Sequence, residues 1–139
     1  MEKPPTILMV VAVALTNGEG RFLLQRRPAG KQHGGLWEFP GGKVEPGETP
    51  RAALVREVNE ELGIALDPGA IQPAAFADGA AATHEGGIVI LFYSCRRWQG
   101  KPVATDGATI GWFAPGEAAR LAMPPLDIEL LAQLSGGGG

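Results

Sequence analysis

Glu57, Glu60 and Glu61 stand at positions i, i+3 and i+4 of one segment, a spacing that brings three carboxylates onto one face if the segment is helical. Like charges at these spacings cost a helix about 0.2–0.5 kcal/mol per pair, so the group is unfavourable unless a cation neutralises it. A hard divalent cation suits the chemistry. Oxygen ligands with no histidine or cysteine among them favour Mg²⁺ or Mn²⁺ over zinc or copper, and such ions commonly bridge protein carboxylates to substrate phosphates. The competing reading is a solvated acidic face in which Arg56 pairs with Glu60 at i, i+4. Gly41 and Gly42, just upstream, allow close backbone approach to a metal or phosphate, although the same pair would also serve a plain turn.

The elements that must position these residues follow from the surrounding pattern. Thr49 as N-cap, Pro50 at the first helical position and Gly63 as the stop predict a helix over residues 50–62. Leu54, Val58 and Leu62 recur every four residues and form its buried stripe, with Val55 at the margin. Upstream, Ile7–Leu15 and Arg21–Arg26 read as strands joined through Asn17–Gly20 into a hairpin. Pro28, Gly30, Gly34 and Gly35 mark a loop leading to a short strand at Leu36–Phe39, which Pro40-Gly41-Gly42 closes. Downstream, Ile88–Cys95 suits a central strand, Trp98–Lys101 a turn and Thr109–Phe113 a further strand. Short helices are expected at Pro115–Leu121 and Ile128–Leu134, and a mobile, pocket-shaping loop at the glycine- and alanine-rich Asp78–Gly87. The mixed order implies an α/β (α+β) fold, a sheet covered by helices.

Length and composition narrow the classes. A chain of 139 residues can bury a core as one domain, expected over residues 1–135, with a disordered glycine tail at 136–139. The single cysteine, Cys95, lies in an apolar run and reads as a buried structural thiol, which fits a cytoplasmic setting. Ile7–Leu15 is too short to span a bilayer. A net charge of −3 argues against a nucleic-acid polymer as partner, and Arg96-Arg97-Trp98 reads as a solvated strand end.

The string from Gly42 to Ile64 resembles the signature box of the Nudix hydrolases, G-x5-E-x7-R-E-U-x-E-E-x-G-U with U aliphatic. Gly42, Glu48, Arg56, Glu57, Val58, Glu60, Glu61, Gly63 and Ile64 meet all nine specified positions. Outside the box the chain is most similar to the MutT-like branch. That likeness rests on Arg26-Arg27, Leu36-Trp37-Glu38-Phe39-Pro40-Gly41-Gly42-Lys43, Arg97-Trp98-Gln99-Gly100, Trp112 and Met123-Pro124-Pro125-Leu126-Asp127.

The resemblance implies a Nudix-like mixed β-sheet sandwiched between helices, and a monomer or homodimer acting on a small nucleotide. It implies Mg²⁺, with Mn²⁺ as substitute, held by Glu57, Glu60, Glu61 and the Gly41 carbonyl. Glu57 would activate the attacking water, Arg56 would orient a glutamate and Glu48 would brace the loop against the helix. Arg27 and Lys43 are the candidate phosphate contacts, Lys43 reading equally well as solvated surface; Phe39 would border the base unless it faces the core, and Asp127 would read the base unless it merely caps the helix at Ile128. Asp106-Gly107-Ala108 stands where relatives carry Glu-Gly-Gln, so Asp106 as a further metal ligand is one methylene short, and it would reach the ion directly, act through water or merely cap the turn. His33 and His84 read as incidental. The implied activity is hydrolysis of nucleoside triphosphates, oxidised guanine nucleotides such as 8-oxo-dGTP among them, to monophosphate and pyrophosphate, as in nucleotide-pool sanitation and DNA repair. ADP-ribose or CTP is the alternative substrate.

Overall fold

A computed structural model describes residues 6–30 and 34–136. His33 and residues 137–139 of the expected tail lie outside the described residues, and Gly136 ends the last helix. Among the described residues, three α-helices and a short 3-10 helix (Pro68–Ala70) pack with three sheets. The largest is mixed and has four strands: β4 (Gly41–Lys43), β1 (Leu8–Leu15), β7 (His84–Cys95) and β6 (Gln72–Ala81), in that order. β1 runs parallel to β7 from Leu8 opposite Ile88 to Leu15 opposite Cys95, whereas β4 and β6 are antiparallel to their neighbours. A second sheet orders β3 (Trp37–Glu38), β2 (Phe22–Arg26) and β9 (Thr109–Phe113); a third pairs β5 (Ala65–Leu66) with β8 (Trp98–Gln99).

Period-two alternation along β1 divides the core. Val11, Val13 and Leu15 share one cluster with Leu54, Val58 and Leu62 of α1 (Pro50–Leu62), while Ala12 and Ala14 share another with Phe92 and with Leu130 and Leu131 of α3 (Pro125–Gly136). The mixed sheet therefore lies between helices, as the order of elements implied. Burying each of Leu54, Val58 and Leu62 contributes about 1.5–3 kcal/mol relative to exposure, which anchors α1 and so fixes the direction of the acidic face beside that stripe. Both ends of α1 match the sequence reading: the Thr49 hydroxyl accepts from the Ala52 N–H, and Gly63 takes a left-handed φ of 70°.

Several expectations need correcting. β1 and β2 are not a hairpin: β4 and β7 already occupy both edges of β1, so β2 joins the second sheet. The tight turn survives, with Asn17 Oδ1 accepting from the Glu19 and Arg21 amides, but a single bridge, Thr16 to Phe22, is left of the ladder. Asp78–Gly87 is not a loop; it supplies the end of β6, the turn at Ala82 and Thr83, and the start of β7, His84 included. Its glycines allow close strand approach, since a Cβ on Gly87 would strike the Gly79 carbonyl. Gly41 and Gly42 are paired with β1 rather than forming a turn, and Trp98–Gln99 is a short strand that Gly100, at φ 97°, turns away. α2 is only Pro115–Ala118, and α3 begins at Pro125, three residues before the expected Ile128. Cys95 is buried, and among the described residues no helix is long and apolar enough to cross a membrane.

Candidate active site

α1 lies against β4, and the charged residues of the two elements meet there. Arg56 is the hub. Its Nε and Nη2 donate to the two oxygens of Glu48 at 2.7 and 2.9 Å, its Nη1 to Glu57 Oε1 at 2.9 Å and more loosely to Glu60 Oε2 at 3.4 Å, and Nη2 also reaches the Lys43 carbonyl at 3.1 Å. Such a two-pronged guanidinium–carboxylate pair fixes orientation as well as distance. The Arg56 guanidinium, together with the Glu45 amide, holds the Glu48 carboxyl down at about 2, and Glu48 and Glu57 raise the Arg56 pKa in turn. Glu48 thus braces the β4–α1 loop while Arg56 aligns Glu57.

Gly42 is glycine for a steric reason: a Cβ there would collide with the Glu57 carboxyl group. Gly41 is likewise confined, because a Cβ would strike the Val11 carbonyl, and its N–H donates to Glu61 Oε1 at 2.9 Å. The other Glu61 oxygen accepts from Gln25 Nε2 at 2.9 Å. Burial pushes the Glu61 carboxyl up to about 7 against these two donors, with Glu57 and Glu38 adding to the rise. Among the described residues no three histidine, cysteine, aspartate or glutamate side chains converge on one point; Glu60, 60% exposed, leans towards Arg56 instead. What does converge is a buried carboxylate served only by neutral donors, with Glu57 beside it. Such a charge is costly until a cation arrives. These residues, oxygen donors throughout, fit a hard divalent ion.

The remaining sequence-derived positions are spread more widely. Arg27, exposed, is ion-paired with Glu38, and the Lys43 side chain is exposed at the end of β4. Asp106 sits at the tip of an exposed turn with φ 53°, followed by Gly107 at 77°. Thr105 ties that turn to the end of α1 by donating to the Glu61 carbonyl at 2.9 Å. The Phe39 ring does not border an open site; it is buried between Phe22 and Phe92, with centroids 5.7 and 4.6 Å away. Asp127 does not cap a helix at Ile128 either, since it is already the third residue of α3. Its carboxylate is buried and accepts from the Phe39 N–H at 3.0 Å, and burial pushes it up to about 7 despite that bond.

Sequence reasoning passed over Gln25 and Glu38. Gln25 is the polar member of the otherwise apolar Phe22-Leu23-Leu24 run and is buried, a combination that signals a buried partner. Glu38 faces Gln25 across β2 and β3 and influences both Glu61 and Asp127.

The NUDIX domain model matches residues 6–134. A CTP pyrophosphohydrolase of Escherichia coli is 36% identical over 129 residues, covering 89% of each chain. An 8-oxo-dGTP diphosphatase of Haemophilus influenzae is 33% identical, covering 92% of this chain and 91% of that one. The crystal structure of a MutT NUDIX hydrolase from Burkholderia pseudomallei superposes with a TM-score of 0.79 at 27% identity, covering 93% of this chain and 98% of that one. The chain therefore belongs to the Nudix family and is a hydrolase of pyrophosphate bonds. Its relatives include MutT-like enzymes.

Proposed function

We propose that the chain is a Mg²⁺-dependent nucleoside triphosphate pyrophosphohydrolase of MutT type, cleaving oxidised guanine nucleotides such as 8-oxo-dGTP to the monophosphate and pyrophosphate. The observation that carries this reading is the pair Glu57 and Glu61: one carboxylate aligned by Arg56, the other buried among neutral donors. Glu57 and Glu61 would hold the ion, with Glu60, the Gly41 carbonyl and Asp106 completing its ligands. Mn²⁺ is the natural substitute. When bound, the ion offsets phosphate charge and makes water more acidic. Glu57 takes the proton of the attacking water as general base, Arg56 keeps that carboxylate in line, and Glu48 keeps Arg56 in place. Arg27, just past β2, and Lys43, at the end of β4, neutralise the phosphate chain.

A second reading, CTP as substrate, is favoured by the likeness to a CTP pyrophosphohydrolase, and Asp127 connects the two. Ionised, its carboxylate only accepts, which suits the N1–H and exocyclic amine of a guanine-type base; protonated, it donates and accepts, which suits the N3 acceptor and amine of cytosine. A side chain near half-protonation at about pH 7 can present either face. The test is kcat/KM on a panel of 8-oxo-dGTP, dGTP, CTP and ADP-ribose, for the wild type and Asp127→Ala, from pH 6 to 8.5. We expect 8-oxo-dGTP to lead, and its advantage over CTP to grow as pH rises. Asp127→Ala should lower the rates on 8-oxo-dGTP and dGTP roughly ten- to a hundredfold relative to CTP and ADP-ribose, the effect of losing a charged hydrogen bond of about 1.5–3 kcal/mol. CTP leading at every pH would favour the second reading, and an unchanged ranking in Asp127→Ala would remove Asp127 from base recognition.

A further inference from the structure

Gln25 is a buried polar residue in the middle of β2, 7% exposed, whose backbone is paired with Glu38 of β3 and Ile110 of β9. Its side chain spans 36 positions of sequence to reach one partner, Glu61. That partner accepts one bond on each oxygen, from the Gln25 amide and from the Gly41 N–H, and both donors are neutral. An ionised carboxylate has about four acceptor sites, so two remain open. A lysine or arginine at position 25 would neutralise the charge; an amide fixes the rotamer and leaves the charge available. The strand does not need this bond for its ladder, which is made by the backbone, and a buried amide without a partner would be costly.

We propose that Gln25 is a positioning residue for the metal site: it holds the Glu61 carboxylate in the orientation that receives the divalent ion, and so sets the affinity for that ion. The inference rests on the metal reading of Glu57 and Glu61 above. It assigns a role in binding to a residue of the sheet, outside the helix and loop that carry the family's signature.

The test is Mn²⁺ titration without nucleotide, followed by electron paramagnetic resonance of the free ion, with melting temperature measured in chelator. Gln25→Met keeps nearly the same shape but loses the donor, and methionine adapts well to a packed interior. Its Kd for Mn²⁺ should rise about ten- to a hundredfold, the usual effect of removing a group that orients a metal ligand. Gln25→Asn, which keeps the amide but is too short, should show the same weakening and serves if Gln25→Met does not fold. In a Glu61→Gln background, Gln25→Met should change the Mn²⁺ Kd less than twofold, because the group it orients is no longer a carboxylate. A folded Gln25 variant with a Kd within twofold of wild type, or an undiminished loss in the Glu61→Gln background, would overturn the inference. Failure of the wild type itself to bind Mn²⁺ would instead overturn the metal reading beneath it.

Discussion

Glu57→Gln is expected to lower kcat by a factor of about 10² to 10⁴ or more, with melting temperature and circular dichroism close to wild type. The lower figure corresponds to losing a general base; losing a metal ligand at the same site moves the result towards the upper one. The amide is nearly isosteric, and α1 is anchored by the buried stripe of Leu54, Val58 and Leu62 beside it, so the core does not depend on the charge. Arg56 can still donate to the remaining carbonyl oxygen, which preserves position while removing basicity. Steady-state kinetics at saturating metal read the effect. Rates within tenfold of wild type in a folded variant would take the role of base away from Glu57.

Arg56→Leu should have the next largest effect and a different signature. It removes the donors to Glu48, Glu57, Glu60 and the Lys43 carbonyl together, so Glu57 loses its alignment and kcat/KM should fall roughly ten- to a hundredfold or more. Unlike Glu57→Gln, it should also destabilise the fold, and in a pH-dependent way. Glu48 is depressed from its ordinary 4.5 to about 2, chiefly by the Arg56 hydrogen bonds. A depressed carboxyl contributes stability that is present above the unfolded value and lost as pH falls through the folded one. The melting-temperature gap between wild type and variant should therefore be widest above about pH 5 and shrink towards pH 2, as Glu48 protonates in the wild type too. A gap independent of pH would mean that the Glu48–Arg56 pair does not hold the loop.

How much of this was legible in the sequence depended on how local the interactions were. α1 was readable to the residue because its cap, its proline and its glycine stop act within a few positions. β6 was not: Gln72–Ala81 is alanine-, proline- and glycine-rich, with poor intrinsic strand preference, and is recruited by the free edge of β7. The β1–β2 hairpin failed for the converse reason, since its turn chemistry was right but long-range partners had claimed both edges of β1. The same division holds in the site. Glu48, Arg56 and Glu57 could be placed by spacing along one loop and helix, whereas the contacts of Gln25 with Glu61, and of Asp127 with Phe39 88 residues away, depend on how the sheets and α3 come together. Proline is suited to the first helical position, so the start of α3 at Pro125 puts Asp127 inside the helix rather than at a cap before Ile128.

The central claim is metal-dependent cleavage within a nucleoside triphosphate, and phosphorus NMR of the reaction mixture tests it most directly. With 8-oxo-dGTP and Mg²⁺ the spectrum should show nucleoside monophosphate and pyrophosphate growing in equal amounts, with neither signal rising when the metal is chelated and both returning when Mg²⁺ is restored. Release of orthophosphate in place of pyrophosphate, or turnover that continues at full rate in excess chelator, would contradict the account.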